Sequence, residues 1–464
     1  MDQPRFISIL RHISSQLKEL TFDHHNQNVA FLRVTEACPK LTHFSFSVNS
    51  YAPPDVYDTE PLSTTTMLHE DDDGMSQDSD NNNVAQESNL TYLCLNAVLH
   101  KDKRTAPLLR RCPNLQCLMI ANIEADSDFY KWPSEQSVDL NMFFQLCPLL
   151  QYIECNSWGT SRKQQEQWME HARQREKHRQ QQKKIHNGGL RELITREAAG
   201  YGSKEIIPTI QQHTSTLESL SLGEGVSTMT RQTANPSDWT QLEQITQPLP
   251  QLHTFSCKYL QFSGRVLVGF LQKCPRLTEL TLWCMLELPD DILVVLNQLP
   301  HLTKLDLGIA TTSSRAALPS ETTWRWFFSQ NKNLRHLCLR WGHFITDSVM
   351  DAIGSMEHLE ELQLVHTAKG ATTMDALRRL IHLKRLELWT VNAPLDPVIK
   401  DLYWLRDIQL IGCSEVSIHS LRELVDHPNG MLSKLRIQRC GLIQSRMLQY
   451  IENRLASRQQ EQHQ

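Results

Sequence analysis

The sequence predicts an α/β solenoid with a parallel β-sheet along its concave face and helices along its convex face. An L-x-x-L-x-L pattern recurs every 22 to 32 residues between Leu252 and Ile437. Apolar residues at helical spacing follow the pattern, and a Cys-Pro or Leu-Pro pair precedes many copies. These three observations together are typical of a leucine-rich repeat, so the predicted fold is a leucine-rich-repeat solenoid, or horseshoe.

About fifteen copies of the pattern run along almost the whole chain. The five clearest begin at Leu277, Leu302, Leu334, Leu359 and Leu383. Weaker copies begin at Leu17, Leu41, Leu90, Leu115, Leu150, Leu190, Leu217, Leu252, Leu405 and Leu432. The copy at Leu190 has a polar sixth position. The solenoid is therefore predicted over residues 1–455, followed by a polar tail over 456–464.

Each copy is predicted to form one strand, because side chains of an extended segment alternate between two faces. Leu280 and Leu282 of one late copy are expected to point inward. Glu279, Thr281 and Trp283 of the same copy are then expected to point outward. Successive strands are predicted to pair in parallel, about 4.8 Å apart.

The residues between strands are predicted to return as helices. One such segment places its apolar side chains on a single helical face: Ile292, Leu293, Leu296 and Leu299. Asp290 and Asp291 stand in its first turn, where negative charge favours the helix dipole. Residues 347–353 and 420–425 repeat this arrangement. Residues 1–16 are predicted to form one further return helix with a single apolar face: Phe6, Ile9, Leu10 and Ile13.

Three insertions are predicted to interrupt the array. Residues 50–88 contain ten acidic residues and no Lys or Arg, which predicts a disordered acidic segment. Residues 161–186 contain eight Lys or Arg and three Glu, with no Gly or Pro. This Gln-rich basic segment, with a net charge of about +5, is predicted to be a polar helix that projects from the array. Residues 223–247 are rich in Thr and Gln and are predicted to form a long surface loop.

Composition and motifs narrow the class of function. The net charge of -5 gives no general attraction to nucleic acid or to a membrane, and no apolar run is long enough to span a bilayer. The protein is therefore expected in the cytoplasm or nucleus. No phosphate-binding, nucleophile-elbow or zinc-protease motif is present, so no enzymatic activity, cofactor or metal is expected. Most of the twelve cysteines recur at repeat-equivalent positions, which favours buried structural thiols.

The outward strand positions are the candidate site. Trp283, Arg340 and Trp389 occupy the same position in repeats that lie two strands apart, so they are predicted to form a row. Trp and Arg are the residues that dominate protein-binding hot spots. The alternative is that the tryptophans cover the strand exits as part of the scaffold. The complete predicted partner-binding set is Glu279, Thr281, Trp283, Lys304, Asp306, His336, Arg340, Glu361, Arg385, Glu387 and Trp389.

Details of the repeats resemble a particular family. Four units begin with C-P-x-L, at Cys38, Cys112, Cys147 and Cys274. Two late units carry a cysteine at the strand exit, Cys413 and Cys440, and another has Ile-Thr-Asp at residues 345–347. These units resemble the cysteine-containing, ribonuclease-inhibitor-like repeats of F-box proteins, the substrate receptors of SCF-type ubiquitin ligases. The F-box itself, a helical module of about forty to fifty residues, is not recognisable before Leu17.

The resemblance implies a non-enzymatic scaffold whose concave face binds a protein partner, as the substrate-binding part of an SCF-type receptor. A Skp-type adaptor and a cullin are implied as further partners if an F-box is present in the full gene. The alternative is a stand-alone ribonuclease-inhibitor-like scaffold or a GTPase regulator. Those proteins favour units of 28 to 29 residues with Asn at the strand exit, unlike this chain. A third hypothesis, nucleic-acid binding through residues 162–184, is disfavoured because only Trp168 interleaves the charges.

Overall fold

A computed structural model describes residues 3–24, 31–48, 88–96, 109–121, 140–156, 170, 173–174, 188–196, 203–223, 241–258, 263–285, 288–309, 318–341, 344–366, 370–440 and 445–462. The chain divides into two compact units, Met1–Leu217 and Glu218–Gln464. The fold is a leucine-rich-repeat solenoid of the α/β class, and the predicted strand is present at every copy of the pattern.

The described part of the first unit contains six strands that pair in parallel and in chain order. They are β1 (Glu19–His24), β2 (His43–Val48), β3 (Tyr92–Asn96), β4 (Cys117–Ala121), β5 (Tyr152–Asn156) and β6 (Glu192–Arg196). The described helices of this unit are α1 (Gln3–Ile13), α2 (Phe31–Ala37), α3 (Leu140–Leu146) and α4 (Ser203–Gln212). The weak copy at Leu190 forms β6, and its polar sixth residue, Thr195, is buried.

The described part of the second unit contains nine strands, also parallel and in chain order. They are β7 (Ser219–Leu222), β8 (Thr254–Lys258), β9 (Glu279–Met285), β10 (Lys304–Ile309), β11 (His336–Arg340), β12 (Glu361–Val365), β13 (Arg385–Trp389), β14 (Asp407–Ile411) and β15 (Lys434–Gln438). The helices are α5 (Gly264–Leu271), α6 (Asp290–Asn297), α7 (Glu321–Gln330), α8 (Asp347–Ile353), α9 (Asp396–Ile399), α10 (Ile418–Asp426) and α11 (Ser445–Gln462), with a 3-10 helix at Asp375–Arg379.

The core of the second unit is built from leucines that stand in register across neighbouring strands. Leu280 pairs with Leu305, which pairs with Leu337 and then with Leu362 and Leu386. All five are at most 1% exposed. The return helices cover this core on the side opposite the strands. Ile292, Leu293 and Leu296 of α6 are buried there, as predicted. The alternation of the L-x-x-L-x-L pattern therefore predicted the inward face correctly.

The cysteines are part of this scaffold. Eleven cysteines are described, and all are free thiols with buried side chains. Burial raises the pKa of the Cys112 thiol to about 11 and that of the Cys274 thiol to about 12. Cys413 Sγ donates to the carbonyl of Leu388 at 3.5 Å, and Cys440 Sγ to that of Leu410 at 3.7 Å. Each of these two thiols therefore links its repeat to the strand of the preceding one.

Aspartates at helix starts connect successive repeats on the helix side. Asp290 Oδ1 accepts the backbone N–H of Ser320 at 2.9 Å, and Asp396 Oδ1 accepts that of Ser417 at 2.6 Å. Asp347 Oδ1 accepts the backbone N–H groups of Thr372 and Thr373 at 2.7 and 3.0 Å. The sequence predicted only a favourable interaction with the helix dipole, whereas the carboxylates also bind the backbone of the next repeat.

Asp347→Ala is expected to lower the free energy of unfolding by about 1 kcal/mol, because these charge-assisted hydrogen bonds are lost. The bond from the Thr372 hydroxyl holds the pKa of Asp347 below its usual value. A lowered folded-state pKa stabilises the protein above the unfolded value of about 3.9, and this contribution is lost as the pH falls through the folded value. Urea titrations should therefore separate variant and wild type at pH 7 and converge towards pH 3. An equal difference at both pH values would contradict this account.

The prediction about the first helix is wrong in detail. In α1, Ile9 and Ile13 are 44% and 47% exposed, whereas Ile7 and Leu10 are buried. The helix packs against α2 through this narrower stripe, so the apolar face was placed one residue out of phase. At the other end of the chain, α11 continues to Gln462, so the predicted polar tail over 456–464 is helical as far as that residue.

The insertions also differ from prediction where they are described. Leu242 and Ile245, at the end of the predicted surface loop 223–247, are fully buried. In segment 161–186, Arg173 contacts Glu19 of β1, so at this residue the segment lies against the array and does not project from it. The predicted disordered segment 50–88 lies outside the described residues, except for Ser88.

Candidate functional site

The outward side chains of β8–β14 form what we call the strand face of the second unit. Register places them in three rows that run across the strands. The first row contains Thr254, Glu279, Lys304, His336, Glu361, Arg385 and Asp407. The middle row contains Ser256, Thr281, Asp306, Cys338, Gln363, Glu387 and Gln409. The third row contains Lys258, Trp283, Gly308, Arg340, Val365, Trp389 and Ile411.

The first row consists of paired charges on the surface. Lys304 Nζ lies 3.1 Å from Glu279 Oε2, and His336 Nδ1 lies 3.3 Å from Glu361 Oε2. These side chains are between 37% and 48% exposed. Ion pairs at this exposure contribute little to stability, so their loss would cost the fold little. The same charges remain available to a partner that approaches the face.

A cluster of aromatic and charged side chains surrounds Asp306. Asp306 Oδ1 accepts the indole N–H of Trp283 at 2.9 Å and the guanidinium Nε–H of Arg340 at 3.1 Å. The Arg340 guanidinium lies 4.8 Å from the centre of the Trp283 ring, and Lys258 Nζ lies 4.5 Å from it. Trp341 contacts Trp283 edge to face, with ring centres 5.9 Å apart. We call these five residues the Trp283 cluster.

The backbone around the cluster leaves room for both tryptophan rings. Trp341 directly follows β11 with a φ of 55°, a left-handed conformation that is uncommon for a bulky side chain. This conformation is accompanied by a hydrogen bond from the Trp341 backbone N–H to the carbonyl of Val365 at 2.9 Å. Gly308 lies beneath the two rings: a Cβ there would be 3.0 Å from the Trp341 ring and 3.3 Å from Trp283. The absent side chain at Gly308 therefore allows the rings to meet.

Gly308→Ala is expected to displace the two rings and to destabilise the protein by about 1 kcal/mol, as overpacking usually does. The displacement should change the near-ultraviolet circular dichroism, which reports on tryptophan packing. Gly269→Ala is a matched control, because a Cβ at this position in α5 would meet nothing within 4 Å. The control should stabilise the helix by about 0.5–1 kcal/mol. An unchanged spectrum for Gly308→Ala would contradict the tight packing described for this cluster.

A second cluster lies two strands further on. Trp389 donates its indole N–H to Glu387 Oε1 at 2.7 Å, and Glu387 is only 7% exposed. Arg385 Nη2 lies 3.6 Å from Glu387 Oε2, and Arg385 Nε lies 4.0 Å from Asp407 Oδ2. The His366 ring contacts Trp389 edge to face at 6.3 Å. Trp389 is therefore held at its polar end, while its ring stays half-buried.

The structure brings together some of the predicted site residues and separates others. Trp283, Arg340 and Asp306 are in direct contact, whereas Trp389 belongs to the second cluster, with Val365 between it and Arg340 in the row. Thr281 stands beside Asp306 in register, half-buried. Three residues of these clusters were not predicted from the sequence: Lys258, Trp341 and His366. Trp341 and His366 could have been found from the sequence, because each is a bulky residue that directly follows a predicted strand.

Other classes of site are not found in the part of the chain that the structure describes. No group of three His, Cys, Asp or Glu side chains there could hold a metal ion. None of the described helices is long and apolar enough to cross a membrane.

Comparison with known proteins finds similarity only among solved structures. No family model and no curated protein matches the chain. A complex of TLR13 with ssRNA13 is 15% identical, over 91% of this chain and 53% of that one, with a TM-score of 0.47. An internalin (inlF) from Listeria monocytogenes is 13% identical, over 93% and 94%, with a TM-score of 0.40. Rad7, from a yeast complex of Rad7 and Elc1, is 14% identical, over 93% and 88%, with a TM-score of 0.44.

The chain therefore spans about half the length of the TLR13 chain that it resembles. Similarities of this size assign neither a partner nor an activity to this protein.

Proposed function

We propose that this protein is a non-enzymatic recognition scaffold that binds a protein partner through the strand face of the second unit. The observation that carries the proposal is the Trp283 cluster, in which Trp283 of β9 packs across β10 against Arg340 of β11 and against Trp341, which directly follows β11. Trp and Arg dominate protein-binding hot spots because they bury a large area and offer directed hydrogen-bond donors. Side chains that are already fixed in place lose little conformational entropy when a partner binds.

The internal hydrogen bonds define which part of each tryptophan a partner could use. The indole N–H groups of Trp283 and Trp389 are bonded to Asp306 and Glu387, so they are not offered to a partner. The ring carbons remain half-exposed. A complementary partner would pack apolar side chains on the rings and place charges opposite the first row. This arrangement matches the apolar centre and polar rim of protein–protein interfaces.

Within this proposal, the partner is a substrate of an SCF-type ubiquitin ligase, and the chain is its receptor. The support is the resemblance of the repeats to those of F-box receptors. Cys413 and Cys440, which carry part of that resemblance, donate to carbonyls of the preceding strands. A cysteine at the strand exit thus has a definite structural use in these repeats.

Affinity purification of the tagged chain from cells that express it, followed by mass spectrometry, tests the proposal. Recovery of a substrate together with a Skp-type adaptor and a cullin would support the receptor role. Recovery of a protein partner without either would favour a stand-alone scaffold, such as a GTPase regulator. Recovery of nucleic acid alone, lost steeply as salt is raised, would contradict the proposal and favour the basic segment as the binding element.

A further inference from the structure

The last strand of the second unit, β15, has one edge that no described strand pairs. It pairs with β14 on the other side only. The N–H and C=O groups of successive residues in a strand point to opposite sides, so the backbone of β15 divides between β14 and the open edge. The Lys434 N–H and the Gln438 carbonyl are bonded to the residues that flank β14, at 3.0 and 2.8 Å. The backbone groups of Leu435 and Ile437 therefore point to the open edge, which can accept a further strand.

The core behind β15 is less completely covered than the core behind the other strands of this unit. The inward side chains at the same two positions of β7–β14 are at most 1% exposed, whereas Leu435 and Ile437 are half-buried. A cavity of about 220 Å³ lies against these two side chains. The rest of its apolar lining comes from α11: Leu448, Ile451 and Leu455. A further strand could therefore place aliphatic side chains in this cavity.

The outward side of β15 is basic. Lys434, Arg436 and, directly after the strand, Arg439 have exposed side chains. None of these three side chains forms an ion pair with a described residue. Asp407 of β14 stands beside Lys434 in register, so Arg436 and Arg439 are the charges best placed to contact an added strand.

These charges and the cavity define the chemistry of the occupant. Opposite charges on neighbouring strands stabilise a sheet and like charges destabilise it, so an outward side chain opposite Arg436 should be acidic. Glu452 of α11 also lines the cavity, which disfavours a second carboxylate there. The inward side chains of the occupant should therefore be aliphatic. Because side chains alternate along a strand, the acidic and aliphatic residues should alternate too.

A second copy of this chain fits the edge less well. Antiparallel pairing of β15 with β15 of another copy, with the inward side chains on the same side, would place Arg436 opposite Lys434, Arg436 or Gln438 of that copy. Two of these three pairings oppose like charges, and none joins opposite charges. Charged side chains on an edge strand oppose such association. The same charges attract an acidic segment.

We propose that the open edge of β15 binds an extended segment of a partner protein in which aliphatic and acidic residues alternate. The segment adds one strand to the sheet, and its backbone pairs with Leu435 and Ile437. Its aliphatic side chains enter the cavity, and its carboxylates face Arg436. This site goes beyond the proposed function, because none of its residues belongs to the strand face or to the Trp283 cluster.

Fluorescence anisotropy of a labelled peptide, titrated with the full-length chain, tests the strand pairing. The peptide alternates valine and glutamate and has about the length of β15. Methyl groups on alternate backbone nitrogens remove the hydrogen-bond donors from one edge of such a peptide. Methylation of one alternate set should weaken binding at least about tenfold, and methylation of the other set should leave it unchanged. Equal effects of the two sets, or no binding of the unmethylated peptide, would overturn the proposal.

Arg436→Glu tests the charge. It should weaken binding of the valine–glutamate peptide at least about tenfold and strengthen binding of a peptide in which lysine replaces glutamate. Lys332→Glu is the matched control, since it makes the same change in net charge at an exposed residue between α7 and β11. The control should bind both peptides as the wild type does.

Equal effects of the two variants would overturn the proposal, because binding would then follow net charge and not the edge of β15. The peptides are the only ligands in these titrations. This proposal can therefore fail while the proposed function stands, and the reverse.

Discussion

Leu362→Ala is expected to lower the free energy of unfolding by about 2–5 kcal/mol, the largest loss of stability that we predict. Leu362 is fully buried in β12 and stands in register between Leu337 of β11 and Leu386 of β13. Truncation removes apolar contacts and leaves a cavity, and the paired strands on both sides limit how far the site can collapse. Urea or thermal unfolding would measure the loss.

Leu318→Ala is the matched control, since it makes the same substitution in the same unit at a side chain that is 40% exposed. It should change the free energy of unfolding by less than about 0.5 kcal/mol, as surface substitutions usually do. Similar losses for the two variants would mean that register and burial do not determine the stability of the repeats.

Trp283→Ala is expected to weaken partner binding by about 2 kcal/mol or more while the protein stays folded. The ring is half-buried, and Asp306 keeps its hydrogen bond from Arg340 when the indole is removed. The loss should therefore fall mainly on the interface and not on the fold. Titration calorimetry with the purified partner would measure the affinity, and a thermal melt would verify the fold.

Trp389→Ala should reduce affinity by a similar amount, and Arg340→Ala should act in the same direction. Lys400→Ala is the control, because Lys400 is exposed at the end of α9, away from the strands. It should leave the affinity unchanged. Equal losses for all four variants, or a loss confined to variants of residues 173–184, would argue against the strand face as the contact surface.

The repeat pattern predicted the strands well, because the need to bury the leucines determines which side chains of each strand point inward. Leu280 and Leu282 point inward because a shift of one residue would expose both leucines of every repeat. Even the copy at Leu190, with its polar Thr195, follows its neighbours into the sheet. The apolar face of α1 was harder to place, because the five apolar residues among its eleven fit more than one helical stripe.

The sequence predicted which outward side chains share a row, but it did not predict which of them are in contact. Register alone aligned Trp283, Arg340 and Trp389, whereas the meeting of Trp283 with Trp341 depends on the left-handed backbone after β11. Glycine is the residue that usually adopts this conformation. The tryptophan at position 341 therefore did not predict a left-handed backbone there. Gly308 was not among the predicted site residues, because its role depends on the two rings that lie against it in the structure.

The sequence also did not predict that outward side chains of the first unit are buried. Tyr92, Cys94, Cys117 and Met119 stand at positions that the pattern assigns to solvent. Their apolar character was visible in the sequence, but the period-2 pattern alone does not distinguish a strand with one buried face from a strand buried on both faces. The contact between Arg173 and Glu19 joins residues 154 positions apart, which no local pattern can reveal.

The central claim, that the strand face of the second unit recognises a protein, is tested most directly by parallel affinity purifications. The tagged wild type, the double variant Trp283→Ala/Trp389→Ala and the control Lys400→Ala would be compared by quantitative mass spectrometry. At least one protein should be recovered with both the wild type and Lys400→Ala and be depleted at least about tenfold with the double variant, because every 1.4 kcal/mol of lost binding free energy reduces affinity tenfold. Recovery of every captured protein at wild-type levels by the folded double variant would contradict the claim.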